Sequence, residues 1–294
     1  MSMSQNSWKT YEKAVESFGQ FRLVYNYEDN WPIPIDELAK YVVYLSCQGL
    51  TVSTVSTYSS GLSFAHKIND LEDHTKSFIL AKMVEGLRRK TPTTPDARAP
   101  ISQELLTLLI RALHKVCNSE YQAKMFSAAF SLASFSMLRI SELATKNATD
   151  ESGHALNKDN ITFHSAGGEV EMHVKISSSK TDQKGRATTL VLKSQADFNI
   201  CPINLVRKYL AIRSKGQNCS NIFFVHLNGS ALTKYQFSSI LQKSLKLCDV
   251  PLHIRTHAFR ISRATDMAKQ GVCDEIITQN GRWTSASYSR YIRL

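Results

Sequence analysis

Residues 255–294 read RTHAFRISRATDMAKQGVCDEIITQNGRWTSASYSRYIRL, and this stretch decides our prediction of the fold. Apolar residues at helical spacing predict two helices separated by Gly271 and followed by a turn at residues 281–283. Two tyrosines, Tyr288 and Tyr291, come after the turn. Since residues three apart lie on one face of a helix, the stretch places two neighbouring phenols beyond a helical pair.

The same stretch contains His257 and Arg260 in an H-x-x-R pattern. The pattern alone has little weight, because 9 His and 15 Arg in 294 residues give roughly half such a match by chance. His253 and His257 have the i,i+4 spacing of paired metal ligands, but Pro251 crowds the start of a helix there and no third His or Cys is near. We therefore predict no metal site.

The charge of the chain points to a polyanionic partner. The 294 residues include 36 Lys and Arg against 25 Asp and Glu, a formal charge of +11. Residues 97–294 hold 26 basic and 14 acidic side chains, so the positive excess lies in that part of the chain. Such a charge favours nucleic acid or an acidic membrane surface, with a plain basic soluble protein as the alternative.

The cysteines and the apolar segments predict a soluble intracellular protein. The 6 cysteines include no C-x-x-C pair, so we expect reduced thiols. The most apolar stretch, FSAAFSLASFSML from Phe126, is too short and too rich in serine to span a bilayer, and MSMSQNSWKT lacks the apolar region of a signal peptide. We predict no membrane association.

Two domains are predicted on either side of a proline-rich segment. Residues 1–90 show helical periodicity with polar and glycine-containing breaks, which predicts four or five short helices. The segment RRKTPTTPDARAP cannot continue a helix because of its prolines, and we assign residues 91–100 as a linker. The second domain is residues 101–294.

The second domain is predicted to be mainly α with a small antiparallel β-sheet, an α+β fold. Ser102 is the expected N-cap of an amphipathic helix, and residues 121–147 are predicted to form a longer, more buried helix. Residues 161–192 alternate apolar and polar side chains around Gly-Gly and Lys-Gly turns, which predicts antiparallel strands. NIFFVH, residues 221–226, is predicted as a further short strand.

Two further positions could handle phosphate. Arg139 follows a long apolar run and has Glu142 three residues later, which fits either a phosphate-binding guanidinium or an ordinary surface ion pair. Lys180 lies at a predicted hairpin turn, where a lysine is either solvated or able to protonate a leaving oxygen of DNA. The sequence shows no ATP-binding glycine loop, Rossmann fingerprint, G-x-S-x-G elbow or carboxylate cluster for two-metal catalysis. If the protein cuts DNA, a side chain is the expected nucleophile.

In chain order, these parts are Arg139 with Glu142, Lys180, the H-x-x-R pair, the 281–283 turn and a tyrosine. This arrangement resembles the tyrosine recombinase (phage integrase) family over nearly the whole chain. The resemblance implies a helical core-binding, DNA-binding domain at residues 1–90 and a catalytic domain at residues 101–294. The pattern GRW…YIR resembles most the recombinases of Crypton and DIRS mobile elements.

The resemblance implies a role for each motif residue. Arg139 and Arg260 would bind the scissile phosphate, and Glu142 would orient its neighbours. His257 would assist the tyrosine proton transfer or contact the phosphate. Lys180 would be the general acid for the leaving 5′-oxygen.

Two assignments in the resemblance have alternatives. In the family the nucleophile lies about nine or ten residues after the glycine of the turn, so Tyr291 matches better than Tyr288. Tyr288 is then a packing residue, although the two tyrosines share a face. The second His or Trp of the family falls on Arg282 by strict spacing, or on Trp283 if one residue is deleted.

The resemblance further implies double-stranded DNA as the partner, a DNA-bound tetramer, and a 3′-phosphotyrosyl intermediate formed without metal, ATP or another cofactor. Because residues 1–96 are near neutral, their DNA contacts must be local. The candidates are Ser56, Tyr58, Ser59, His66, Arg88, Arg89 and Lys90. A plain amphipathic helix and a charged linker are the alternative explanation for these residues.

The leading functional prediction is a site-specific DNA recombinase or integrase of a mobile element, active in transposition. A topoisomerase IB-like nicking and resealing enzyme would use the same chemistry without strand exchange. A domesticated DNA-binding protein would keep the fold without catalysis, but it has no chemical need for a phenol beside two arginines. A eukaryotic mobile element implies a nuclear location, and a bacterial origin implies a cytoplasmic one.

Overall fold

The structure is a computed structural model that describes residues 3, 5–92, 98–149, 154–177, 187–213, 220–250, 253–283 and 285–293. It divides into two compact units, Met1–Pro95 and Asp96–Leu294. In these described ranges, no helix combines the length and apolarity that a membrane span needs.

Four helices build the first unit around an aromatic core. They are α1 (Gln5–Tyr25), α2 (Ile35–Cys47), α3 (Val52–Ile68) and α4 (Phe78–Lys90). Phe18, Phe21 and Tyr41 are buried at their centre. Gly61 allows α3 to approach α1 closely, since a Cβ at that position would lie 2.6 Å from the Cβ of Ala14. The predicted short helices are confirmed except for α1, which extends over 21 residues.

The second unit is mainly helical with one antiparallel sheet, as predicted. Its elements are α5 (Gln103–Val116), α6 (Glu120–Phe135), α7 (Ile140–Leu143), β1 (Ile161–Ala166), β2 (Glu169–Ile176), β3 (Thr188–Lys193), α8 (Pro202–Arg213), α9 (Lys234–Leu247), α10 (Ala258–Lys269) and α11 (Asp274–Gly281). A 3₁₀ helix, Ala286–Tyr291, follows α11.

Helix α6 is the centre of this unit. Twelve of its 16 residues are buried, and it contacts α5, α8 and α10. A helix that is apolar or small on every face is stable only when it is covered on every face. Ser102 caps α5 as predicted, because its hydroxyl accepts a hydrogen bond of 3.2 Å from the Leu105 N–H.

The prediction of one continuous helix over residues 121–147 is wrong. Helix α6 ends at Phe135, and Met137 adopts a left-handed conformation with φ of +47° before α7 begins. A residue in this conformation ends the helical hydrogen-bond ladder and leaves nearby carbonyls without helical partners. The carbonyls of Ser136 and Met137 are taken by arginine side chains instead.

The sheet has the order β1-β2-β3, antiparallel throughout. Gly167 and Gly168 join β1 to β2 with φ of +59° and +86°, the conformations that a two-residue hairpin turn requires. Residues 178–186, where Lys180 was predicted to lie on a turn, are outside the described residues. The predicted NIFFVH strand is wrong: Ile222 and Val225 make only isolated bridges, which are too few for a ladder.

Candidate active site

The guanidinium of Arg260 is the most deeply buried cation of the second unit's candidate site. The residue lies on the first turn of α10 and is 1% exposed. Its Nη1 donates to the carbonyl of Met137, and its Nη2 donates to the carbonyl of Gly281 at 2.8 Å. Burial, followed by the positive charge of Arg139 and then that of Arg282, lowers the pKa of Arg260. The group is still a cation at neutral pH.

The carboxylate of Glu142 joins two other arginines. Glu142 is completely buried and accepts hydrogen bonds from the Arg139 backbone N–H at 2.8 Å and from Arg139 Nη1 at 3.2 Å. It accepts a third hydrogen bond, from Arg282 Nη2 at 2.7 Å. The alternative of an ordinary surface ion pair between Arg139 and Glu142 is therefore wrong, because this carboxylate is removed from solvent and shared.

Arg282 occupies the position after α11 and adopts a left-handed conformation with φ of 54°. Its side chain is only 7% exposed. Besides Glu142, it donates to the carbonyls of Ser136 and Met137 at 3.4 and 3.3 Å. Burial lowers the pKa of Arg282, and Glu142 counteracts this effect. Arg282 thus connects the end of α11 to the break after α6.

Tyr291, on the 3₁₀ helix, lies beside the arginine cluster. Its ring centroid is 4.9 Å from that of Trp283 and 6.4 Å from that of His257. The guanidinium carbon of Arg260 is 4.9 Å from the Trp283 ring and 5.6 Å from the Tyr291 ring. The structure therefore brings together Arg260, His257, Trp283 and Tyr291, which the sequence analysis singled out separately.

His257 lies at the exposed start of α10. Partial desolvation is the largest cause that lowers its pKa, and the guanidinium groups of Arg260, Arg98 and Arg139 lower it further. An imidazole with a lowered pKa is neutral at pH 7 and can accept a proton. Sequence reasoning did not identify Arg98, because a single Arg in a proline-rich segment gives no signal of a neighbouring site.

Tyr288 has different surroundings from Tyr291. Its hydroxyl donates to Oδ2 of Asp274 at 2.6 Å, at the start of α11. This hydrogen bond is the largest cause that raises the pKa of Tyr288. A phenol held in this way is harder to ionise. Asp274 was not recognised from the sequence, since an acidic residue in a first helical turn is common.

One predicted DNA contact in the first unit is contradicted by the structure. His66 is completely buried, its Nε2 accepts from the Ile33 N–H at 3.1 Å, and its Nδ1 lies 2.7 Å from the carbonyl of Leu62. Its ring also packs at 4.8 Å from that of Trp31. A side chain that is enclosed in this way cannot reach DNA, so His66 is a core residue.

The other predicted contacts of the first unit differ in exposure. Tyr58 packs against the aromatic core, and the hydroxyl of Ser59 donates to the carbonyl of Val55 at 3.1 Å. The Ser56 hydroxyl is buried without a hydrogen-bond partner among the described residues. The three basic residues at the end of α4, Arg88, Arg89 and Lys90, are exposed, and Arg89 pairs with Glu85.

Metal-binding residues are not clustered in the described part of the chain, where no three His, Cys, Asp or Glu side chains come together. His253 and His257 therefore have no third ligand there. Lys180 lies outside the described residues.

Comparison with known proteins gives a consistent result. The sequence model of the phage integrase family matches residues 101–294. The recombinase Cre of Escherichia phage P1 is 22% identical over 316 aligned residues, which cover 99% of this chain and 85% of Cre.

Solved structures share the fold. XerH site-specific recombinase, bound to difH substrate in a pre-cleavage complex, has a TM-score of 0.65 at 18% identity, with 97% of this chain and 75% of XerH covered. The Tn1549 transposon integrase in complex with transposon right end DNA has a TM-score of 0.62 at 15% identity, with 100% of this chain and 90% of the integrase chain covered. A lambda integrase dimer bound to a COC′ core site has a TM-score of 0.61 at 14% identity, with 99% of this chain and 73% of the lambda integrase chain covered.

Proposed function

The chain belongs to the phage integrase family of tyrosine-type site-specific recombinases, and from this premise we propose that it cleaves and rejoins double-stranded DNA through Tyr291. The observation that carries the proposal is the position of the Tyr291 ring, 5.6 Å from the buried guanidinium of Arg260 and 6.4 Å from the ring of His257. A phenol with an ordinary pKa of about 10 needs such a cationic environment to react at neutral pH.

In the proposed reaction, the Tyr291 oxygen attacks the scissile phosphorus and the bond from phosphorus to the 5′-oxygen breaks. The cations of Arg139 and Arg260 bind the phosphate oxygens and stabilise the charge that develops in the transition state. His257 accepts the phenol proton or contacts the phosphate, and Lys180 protonates the leaving 5′-oxygen. The 3′-phosphotyrosyl bond conserves the phosphodiester, so rejoining needs neither ATP nor a metal ion.

Glu142, Arg282 and Trp283 have supporting roles in this proposal. Glu142 holds Arg139 and Arg282 in place through its two oxygens. We assign the second His or Trp position of the family to Trp283, because its ring packs on Tyr291 at 4.9 Å, while Arg282 is engaged by Glu142.

The DNA contacts, the assembly and the cellular location of the protein are also proposed. The basic second unit and the exposed residues Arg88–Lys90 would contact DNA phosphates, with affinity that falls as salt rises. Residues 1–90 would act as the core-binding domain, and four protomers would assemble on paired DNA sites. The GRW…YIR pattern supports a Crypton or DIRS mobile-element recombinase that acts in the nucleus; a bacterial origin would place it in the cytoplasm.

The test uses the purified full chain with a pool of nicked suicide duplexes that carry randomised sites, in the presence of a chelator. We expect an SDS-resistant protein–DNA adduct that peptide sequencing locates on Tyr291. The adduct should disappear in Tyr291→Phe and persist in Tyr288→Phe, which serves as the matched control.

Other outcomes favour the alternatives. Salt-dependent DNA binding without an adduct on either tyrosine would contradict cleavage and favour a DNA-binding protein. Plasmid relaxation by a monomer, without recombination between two sites, would favour the topoisomerase-like enzyme. Loss of the adduct in Tyr288→Phe, but not in Tyr291→Phe, would overturn the choice of nucleophile.

A further inference from the structure

The hydroxyl of Thr265 contacts the backbone at two points that directly follow the Tyr291 side chain in the chain. Thr265 is 1% exposed and lies on α10, five residues after Arg260. Its Oγ1 donates to the carbonyl of Tyr291 at 3.3 Å and accepts from the N–H of Arg293 at 3.0 Å. Both contacts come from one side-chain atom.

The segment that carries Tyr291 depends on contacts of this kind. Its 3₁₀ helix, Ala286–Tyr291, has only six residues and no buried residue of its own. Short 3₁₀ helices have poor hydrogen-bond geometry and little independent stability. Tyr288, near the middle of the helix, is held by Asp274. Thr265 holds the end of the helix that bears the proposed nucleophile.

Helix α10 carries both Arg260 and Thr265, so one rigid element sets the distance between the phosphate-binding cation and the backbone of Tyr291. We propose that Thr265 is a positioning residue for DNA cleavage, which fixes the Tyr291 backbone relative to Arg260. This inference rests on the proposed function of Tyr291. Reacting groups must be held to about 0.5 Å, and a displacement of about 1 Å can slow a reaction about 100-fold.

Three variants of the full chain separate positioning from a general loss of structure. Thr265→Val keeps the shape of the side chain and removes both hydrogen bonds, while Thr265→Ser keeps the hydroxyl. Ser262→Ala is the matched control, because Ser262 is another buried hydroxyl on α10, and it donates to the carbonyl of Ile101 instead of the segment that carries Tyr291. Each variant is tested for thermal unfolding without DNA and for DNA affinity.

The measurement is the single-turnover rate of adduct formation on Tyr291 at saturating suicide duplex. We expect Thr265→Val to react about 10- to 100-fold more slowly with unchanged DNA affinity. Thr265→Ser should recover most of the rate, and Ser262→Ala should react like the wild type. Equal rates for Thr265→Val and Ser262→Ala, or no rescue by Thr265→Ser, would overturn the inference.

Amide hydrogen exchange in the DNA-free protein distinguishes failure of this inference from failure of the proposed function. In Thr265→Val, the amide of Arg293 loses its acceptor, so exchange over residues 290–293 should accelerate, whereas Ser262→Ala should leave it unchanged. If the wild type forms no adduct, the proposed function fails. Amide hydrogen exchange then still shows whether the Thr265 hydroxyl holds the backbone of residues 291–293. If Thr265→Val does not fold, Thr265→Ala takes its place in both measurements.

Discussion

Glu142 accepts a hydrogen bond of 2.7 Å from Arg282, a residue 140 positions later in the chain. The same carboxylate pairs with Arg139, so a single buried negative charge ties the start of α7 to the end of α11. Both segments border the cluster that contains Tyr291. The arrangement of the candidate site therefore depends on this carboxylate.

Glu142→Gln should destabilise the second unit by about 3 kcal/mol, because it leaves two guanidinium groups partly or fully buried without their counter-charge. Urea unfolding followed by circular dichroism measures this loss. Glu85→Gln is the control, since Glu85 pairs with Arg89 and Lys82 on an exposed surface and its loss should cost less than about 1 kcal/mol. Equal stability losses for the two variants would mean that Glu142 does not compensate the positive charges of Arg139 and Arg282.

Gly281→Ala should displace Trp283 from Tyr291. A Cβ at position 281 would lie 1.9 Å from Cζ3 of Trp283, which is closer than atoms can approach. We expect a stability loss of about 1–3 kcal/mol, slower adduct formation and a changed tryptophan fluorescence spectrum. Gly86→Ala, inside α4 with no atom within 4 Å of the new Cβ, should instead stabilise the protein by about 0.5–1 kcal/mol. An unchanged spectrum in Gly281→Ala would contradict the packing described here.

His257 should titrate below its ordinary pKa of 6.5. Because the folded state resists protonation of this group more than the unfolded state does, its contribution to stability is present above pH 6.5 and is lost as pH falls through the lowered pKa. NMR titration of the imidazole measures the pKa directly. As pH falls from 6.5 through the lowered pKa of His257, the wild type should lose more stability than His257→Asn, which has no group that titrates at this position.

Arg98 and Arg139 act on the same imidazole, so their removal tests the cause of the shift. Arg98→Gln should move the pKa of His257 back toward 6.5, with Arg290→Gln as a control that removes an exposed cation not among the causes of the shift. A wild-type pKa at or above 6.5 would contradict the electrostatic description of the site.

His66→Leu should lower the stability of the protein, whereas Arg88→Gln should change the salt dependence of its DNA binding. His66→Leu leaves the Ile33 N–H buried without its acceptor and should cost about 1–3 kcal/mol of stability, with no change in the salt dependence of DNA binding. Arg88→Gln changes an exposed side chain and should reduce the slope of log affinity against log salt by about 1. Fluorescence anisotropy at several salt concentrations measures the slope. A reduced slope in His66→Leu would restore its role as a DNA contact.

Much of the fold could be predicted from periodicity, but the break after α6 could not. The residues around Met137 look helical because apolar side chains continue at helical spacing. The break leaves the carbonyl of Met137 to Arg260 and Arg282, and both arginines come from more than 120 positions later in the chain. Local sequence patterns carry no information about such distant partners.

The candidate site shows the same limit. Arg260 and Tyr291 were identified by their place in a motif, and the structure places them side by side. His66 was selected as a local DNA contact of the near-neutral residues 1–96, yet its ring is buried in the core and accepts a hydrogen bond from the Ile33 amide. Thr265 carries no motif signal at all, since its contacts depend on where the 3₁₀ helix docks.

The left-handed turn at Met137 also has an electrostatic consequence. The described acceptors of the Arg260 guanidinium are two peptide carbonyls, those of Met137 and Gly281. A carboxylate in their place would orient the guanidinium equally well but would cancel its charge before a phosphate arrived. Peptide dipoles fix the group and leave it a full unit of positive charge, so an irregular stretch of main chain keeps the most buried cation of the site ready for an anion.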